Sequence, residues 1–382
     1  MHVALLAVDI DLSGATGDVS HVKDLSVALA EAGCNVDLFV AKVALWNAPS
    51  TVSLHEVPGR RTFYTAFRVW SSLRREPPDV IYERRFSPKL SALVATLLRR
   101  PFFVEINGVA EVEMAIQGRT PNTSRLSRLA RHRLRSLCFR RAFSVIAVAD
   151  GIRAALLSQY HLAPERICVV PNGVNLDLFR PMPTREARER LGLDQNGAYI
   201  VFVGNLVPWQ GLGTIIEAVS LVKSHIPRIQ LLVVGDGQDR VVLEELVRQR
   251  RLTDQVRFVG RVDRMDVPLW ISAADITVAP RTKGTRNLAS PLKLREYLAC
   301  GKPVVASLLG GQEPRPEDYD AGVTVDGEEP NEFANVFVRL LQDPNRREAM
   351  SHKARDFAVR DLSWDLVARR LMGMFASAAS QE

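Results

Sequence analysis

Short apolar runs alternate with helical patterns along this whole chain, and the rhythm restarts near the middle. Runs of strand length, bounded by turn residues, predict strands near 2–10, 35–41, 79–83, 101–106, 144–149 and 166–171. Helical patterns near 21–32, 62–75, 88–100, 123–141 and 150–159 separate most of them. A second series of strands falls near 199–204, 229–235, 256–260, 276–280, 303–307 and 322–325, again with helices between. Such alternation requires parallel sheets covered on both faces. The restart predicts two doubly wound α/β domains: a Rossmann-like domain at 1–180, a second at 190–362, and a C-terminal helix at 363–382 able to cross back to the first. The proline- and charge-rich stretch Phe179–Ala198 is the expected boundary.

Length and composition agree with this plan. A chain of 382 residues, 47% hydrophobic and 24% charged, can build two ordinary cores. Cys34, Cys138, Cys168 and Cys300 show no paired spacing, which argues against a zinc site or disulfide framework and fits a reducing cytoplasm. No apolar run reaches the ~18 residues of a membrane span. The opening "HVALLAVDI" contains Asp9 and reads as a buried strand, not a leader. Much of the net charge of +7 lies in Arg125–Phe143, where leucines interleave with arginines. That segment reads as a solvated amphipathic helix, or as one facing an anionic membrane surface or an anionic acceptor; nucleic acid is not signalled by any accompanying module.

Open parallel sheets bind ligands beyond the carboxyl ends of their strands, and the polar motifs of this chain fall there. After the first strand, Gly14 and Gly17 make a turn ahead of His21; the turn is structural, or it lets backbone approach a phosphate or sugar. Tyr82, Glu83 and Arg84 end one strand and Glu105, Asn107 and Gly108 another. Glu83 and Arg84 read equally well as a salt-bridged pair holding loops, whereas Glu105 and Asn107 read as site residues for an acceptor. "PNG" at 171–173 marks a turn before the domain boundary.

The second domain repeats the arrangement. "FVGNLVPWQGL" places Gly204, Asn205, Gln210 and Gly211 in a loop that opens a helix. Gly235 ends the next strand, and Gly260, Arg261 and Val262 the one after, with backbone at Val262 available to a base edge. "APRTKGTRNLASPLKLREYLACGKPVVAS" then carries Arg281, Lys283, Arg286 and Lys293. Ser290 and Pro291 suit the N-cap and first turn of a helix that continues through Leu292 and Glu296 and stops at Gly301. A lysine in a first turn opposes the helix dipole, so an anion is expected there.

In order, the glycine loop with "SHV", "VIAVADGIR", "ICVVPNGVNLDLF", "FVGNLVPWQGL", "LLVVGDGQ", "VRFVGRV" and "SPLKLREYLACGKPVVAS" resemble the retaining glycosyltransferases of family 4 (group 1), over nearly the whole chain. The resemblance implies the GT-B fold, two Rossmann-like domains facing across a cleft, with a sugar nucleotide held by the second. It implies that Glu296 binds the ribose hydroxyls, that 260–262 contact the base, and that Gly17 approaches the donor. Three positions depart from the family pattern: Leu288 stands where a first glutamate is usual, Asn205 where an arginine is frequent, and Gln210 where a lysine is usual. The two missing cations normally neutralise the diphosphate. Lys293 is expected to replace them, helped by Arg281 or Arg286 and by helix amides near Ser290.

The expected activity is transfer of a hexosyl unit from a nucleotide-diphosphate sugar, a UDP-sugar favoured over GDP-mannose, to a glycan, lipid-linked or small-molecule acceptor. The anomeric configuration is retained. Lys293, Glu105, Asn107 and His21 are the candidate catalytic group, and Pro291 and Leu292 join the donor contacts. No metal and no cofactor are expected, and the location is the cytoplasm or the inner face of its membrane. The rival reading is a sugar-nucleotide-binding protein whose transferase activity was lost with Leu288, Asn205 and Gln210.

Overall fold

The computed structural model describes residues 1–14, 16–57, 62–85, 88–108, 124–282, 292–307, 315–325 and 328–380. Among these, the chain forms two compact units. One runs to Gly173 and returns for the residues from Trp364 onward; the other lies between Val174 and Ser363.

The first unit is built on a seven-stranded sheet of β1 (His2–Asp11), β2 (Asn35–Lys42), β3 (Val52–Glu56), β4 (Val80–Arg84), β5 (Phe102–Ile106), β6 (Ser144–Ala147) and β7 (Ile167–Val169). All pairings are parallel and the order is β3-β2-β1-β4-β5-β6-β7. The order reverses beside β1, so β1 and β4 flank the switch point. Inner strands such as β5 are buried on both faces, which explains their unbroken apolar runs. Helices Thr62–Leu73, Lys89–Leu98, Arg125–Arg141 and Asp150–Tyr160 cover one face, meeting Leu6, Ile81, Val104 and Val145. Helices Gly17–Glu31 and Trp364–Ala379 cover the other. The last of these buries Trp364, Ala368, Leu371, Phe375 and Ala378 along one stripe. Phe375 sits edge-on to Tyr82 and Phe103, with centroids 5.8 and 4.9 Å away. Truncating such a buried aromatic costs about 3–5 kcal/mol.

Six of the seven strands of this sheet and all six of the second series begin and end within a few residues of expectation. The exception is β3, which the apolar pattern does not mark. It is a five-residue edge strand with only Val52 buried, so it lacks the continuous apolar run of an interior strand.

The second unit holds β8 (Ala198–Val203), β9 (Ile229–Val234), β10 (Val256–Gly260), β11 (Ile276–Ala279), β12 (Val304–Ser307) and β13 (Gly322–Val325). The order is β10-β9-β8-β11-β12-β13, again all parallel, with the switch between β8 and β11. Phe179 is buried in this unit's core, so the chain joins it ahead of the helix Thr184–Arg190. Two buried cations here are structural. Arg188 donates to Asp275 at 2.7 Å and to the carbonyls of Ala273 and Gln195, both at 3.0 Å. Lys302 donates to the Ala274 carbonyl at 2.9 Å and to Thr184 Oγ1 at 2.8 Å, and burial pushes its ammonium down to about 8.

Candidate active site

In the second unit the expected donor residues gather at the carboxyl ends of the strands. Gly204, Gly235 and Gly260 follow or end β8, β9 and β10, and all have positive φ: +147°, +132° and +84°. The three are laced together, the Gly204 N–H donating to Val234 O at 2.9 Å and the Gly235 N–H to Gly260 O at 2.8 Å. A Cβ on Gly235 would fall 2.0 Å from the Gly204 carbonyl oxygen, so only glycine allows this approach. The loop after β8 is tied to the loop after β9 by Leu206 N–H to Asp236 O at 3.0 Å. It is tied to the segment after β11 by Thr282 N–H to Trp209 O at 3.2 Å. The Arg281 amide is fixed in turn by Ser307 Oγ at 2.9 Å.

Into this frame helix Leu292–Ala299 carries Lys293. Its Nζ donates to Gln210 Oε1 at 2.9 Å and lies 3.9 Å from the centroid of the Phe202 ring. A Cβ on Gly204 would stand 2.8 Å from the same nitrogen, so the ammonium occupies the notch that the missing side chain leaves. Burial pushes the Lys293 ammonium well down from its ordinary range and the nearby Arg281 pushes it further, while Glu296 one turn along pulls it back. Lys293 thus stands near one cation, Arg281, and one carboxylate, Glu296. Gln210, where the sequence resemblance led to the expectation of a lysine, is the group that accepts from Lys293. A second ammonium there would repel the first.

Glu296 lies partly buried on the same helix, and its neighbour Tyr297 accepts the Val203 N–H at 2.7 Å, clamping the end of β8 to the helix. Leu292 is partly buried at the helix start. Asn205 and Arg261 are exposed and Gly211 and Val262 partly so. Gly211 has φ +68° and packs its backbone against that of Arg281. Arg286, Ser290 and Pro291 lie outside the described residues, as do Lys283 and Leu288.

The first unit gathers His21, Tyr82, Arg84, Glu105 and Asn107 at its own switch point. His21 Nε2 is 2.9 Å from Glu105 Oε1, with both side chains buried. Arg84 Nε reaches the same oxygen at 3.5 Å, the Asn107 amide donates to it, and the Tyr82 hydroxyl donates to Oε2 at 2.5 Å. Burial pushes the Glu105 carboxyl up, but His21, Arg84 and Tyr82 outweigh it and hold it down at about 2. Glu105 is an engaged, weakly basic carboxylate that holds His21, and Asn107 is one of its donors. The His21 ring meets the edge of Trp364 at 5.0 Å, and its Nδ1 is buried with no hydrogen-bond partner among the described residues. Trp364 is fixed by donating to Asp24 Oδ2 at 3.2 Å. Sequence reasoning did not find Trp364 or Tyr82's contact with Glu105, because neither spacing nor motif links residues so far apart.

Glu83 and Arg84 do not pair. Adjacent residues of a strand point to opposite faces. Arg84 turns toward Asp18, 2.5 Å away, and Glu105, while Glu83 accepts the Ser91 N–H at 2.9 Å. Gly17 is the exposed first residue of helix Gly17–Glu31, which starts earlier than the apolar pattern suggests because Thr16 is extended and supplies the cap position. Among the described residues no three His, Cys, Asp or Glu side chains gather as a metal ligand set, and no helix is long and apolar enough to cross a membrane.

Known proteins resemble the chain in the same two parts. Residues 15–178 match the family model Glycosyltransferase Family 4, and 183–357 match Glycosyl transferases group 1. A D-inositol 3-phosphate glycosyltransferase of Thermobispora bispora is 34% identical over 61% of this chain and 57% of its own length. One of Salinispora arenicola is 33% identical over 62% and 56%. The chain thus spans little more than half the length of the curated relatives it matches. Among solved structures, a sucrose-phosphate synthase from Thermosynechococcus elongatus superposes with TM-score 0.79 at 22% identity over 100% of both chains. Anabaena HepE in complex with UDP-glucose superposes with TM-score 0.76 at 18% identity over 99% of this chain and 100% of that one. With one matched model for each sheet and the GT-B fold throughout, this chain belongs to the family 4, group 1 glycosyltransferases.

Proposed function

We propose that the chain is a retaining hexosyltransferase using a nucleotide-diphosphate sugar, with a UDP-sugar favoured over GDP-mannose. The observation that carries this reading is the Lys293 ammonium in the Gly204 notch, beside the strand ends where this fold binds ligands. A diphosphate there gains a cation that is already desolvated and held, so little reorganisation is left for the reaction. Gly204 and Gly211 backbone and Arg281 add to the phosphate site, Glu296 takes the ribose hydroxyls, and Gly260, Arg261 and Val262 face the base. HepE, of the same fold, is in complex with UDP-glucose, which supports the choice of nucleotide.

In the proposed reaction the bond from the anomeric carbon to the diphosphate oxygen breaks, and its electron pair stays on the phosphate. The acceptor hydroxyl forms the new bond on the same face and gives its proton to that phosphate oxygen. Lys293 stabilises the charge that grows there. In the first unit Glu105, held by Tyr82 and Asn107, fixes His21. The chemistry requires no metal and no cofactor. The acceptor is a glycan, a lipid-linked sugar or a small molecule, and the site of action is the cytoplasm or its membrane face, with the basic segment 125–143 against anionic lipid.

Calorimetry with UDP, GDP, dTDP and ADP on the wild type, Lys293→Ala and Glu296→Ala tests the donor site. One nucleotide should bind the wild type and weaken in both variants. Binding of none of the four would refute the donor reading and favour a protein that has lost transfer.

A further inference from the structure

The four helices on one face of the seven-stranded sheet are successive crossovers, so their outer sides form one surface. Three of them are unusual in charge. The segments 62–75, 88–100 and 124–141 contain thirteen Lys and Arg and no Asp or Glu, in a chain whose total charge is only +7. The remainder of the chain is therefore net acidic, and the cations are concentrated on this face.

The same face is unusual in its apolar groups. Helix Thr62–Leu73 buries Thr65, Ala66, Val69 and Leu73 against the sheet. Its opposite side exposes Phe63 at 82% and Phe67 at 57%, with Tyr64 exposed beside them and Trp70 5.8 Å from Phe67. Positions 63, 67 and 70 recur at helical spacing, so these rings form one stripe, and Arg74 continues it over the Trp70 ring at 5.4 Å. Neighbouring helix Lys89–Leu98 exposes Leu97. Helix Arg125–Arg141 is anchored by Cys138 and Phe139 and by Arg135, which donates to the Tyr160 hydroxyl at 2.7 Å. It exposes Leu126, Leu129, Leu134 and Leu137. Exposed aromatic residues flanked by cations, without a single acid, match the chemistry of an anionic interface: rings at headgroup depth and guanidinium groups on lipid phosphates.

We infer that this three-helix face docks on an anionic lipid bilayer, with Phe63, Tyr64 and Phe67 of helix Thr62–Leu73 as its inserting element. The basic helix 125–141 then supplies attraction more than insertion. This deepens the membrane placement proposed for segment 125–143 and rests on it, but stands apart from the donor site, because none of these residues belongs to that site.

The test is co-sedimentation of the full chain with vesicles of phosphatidylcholine alone and of phosphatidylcholine with phosphatidylglycerol, at low and high salt. The wild type should bind the anionic vesicles and be released by salt. Phe63→Ser/Phe67→Ser should weaken binding about tenfold or more, and Arg128→Gln/Arg131→Gln/Arg133→Gln should flatten the salt dependence. These are exposed positions, and unchanged thermal unfolding and nucleotide binding would establish that the variants are folded. No binding to anionic vesicles at low salt overturns the inference, as does undiminished binding by the double phenylalanine variant. Light scattering gives a further overturning outcome: a dimer of the wild type that Phe63→Ser/Phe67→Ser dissociates would make a second copy the occupant. Nucleotide calorimetry on the same samples separates failure of this surface from failure of the donor reading.

Discussion

Lys293 and Gln210, 83 positions apart, meet through a 2.9 Å hydrogen bond in which the ammonium donates to the amide oxygen. Position 210 is where the sequence resemblance led to the expectation of a lysine. In this chain the positive charge comes from the helix that follows β11, and the glutamine of the loop after β8 accepts from it.

This pairing predicts an exchange. Lys293→Ala should lower turnover by about 2–4 kcal/mol in transition-state free energy. Gln210→Lys alone should weaken nucleotide binding, since it sets two ammonium groups against each other. The double variant Gln210→Lys/Lys293→Gln should recover part of the affinity, measured by calorimetry. A double variant weaker than both single ones would show that the positions do not share one charge.

The depressed Lys293 ammonium also predicts proton uptake. Burial and Arg281 favour its neutral form in the free protein, and a bound diphosphate favours the charged form. Binding should therefore take up protons and weaken as pH rises through the free-state value. Calorimetry in buffers of different ionisation enthalpy reads this directly, and Lys293→Met should abolish the difference between buffers.

Two neighbouring glycines should respond differently to alanine. At Gly235 the new Cβ would meet the Gly204 carbonyl at 2.0 Å, a backbone clash, so Gly235→Ala should lower the melting temperature sharply. At Gly204 it would meet the movable end of Lys293, so Gly204→Ala should cost less stability and displace the ammonium from its notch. Melting curves and nucleotide affinity of the two variants give opposite rankings if this is right.

Two buried carboxyls on adjacent strands have opposite pH signatures. Glu105 is held at about 2, below its unfolded value of about 4.3, so its contribution to stability is present above that value and lost as pH falls toward 2. Burial raises Glu83 to about 7, against the lowering by Ser91, so its contribution is present in acid and lost as pH rises through 7. Glu83 Oε1 has no hydrogen-bond partner among the described residues. Glu83→Gln should therefore stabilise the protein at pH 8, on the order of 1–3 kcal/mol, and much less at pH 5. Denaturant melts at the two pH values check the difference.

The strand and helix rhythm was legible because interior parallel strands must be apolar throughout, as in "FFV" of β5 and "VVAS" of β12. The edge strand β3 was not, because half its surface faces water. Lys293 was legible from a local contradiction, a cation in a first turn. Its link to Gln210 and Phe202 was not, since a contact across a sheet leaves no spacing to read. That His21, Arg84, Asn107 and Tyr82 all meet the Glu105 carboxylate was not legible either, because the four are far apart in the chain or carry no pairing signal.

The helix Trp364–Ala379 finishes a layer on the unit to which residues 1–173 belong, although it is made after all of the second unit. During synthesis the strands that emerge first must therefore wait, with Tyr82, Phe103 and their neighbours lacking the cover of Phe375 and Leu371. The segment 174–363 is continuous and can close its own core meanwhile. Folding of this chain on the ribosome should run against the usual order, with the later-made unit complete first. A nonsense mutation near residue 363 would then leave one finished unit attached to an aggregation-prone, half-covered sheet.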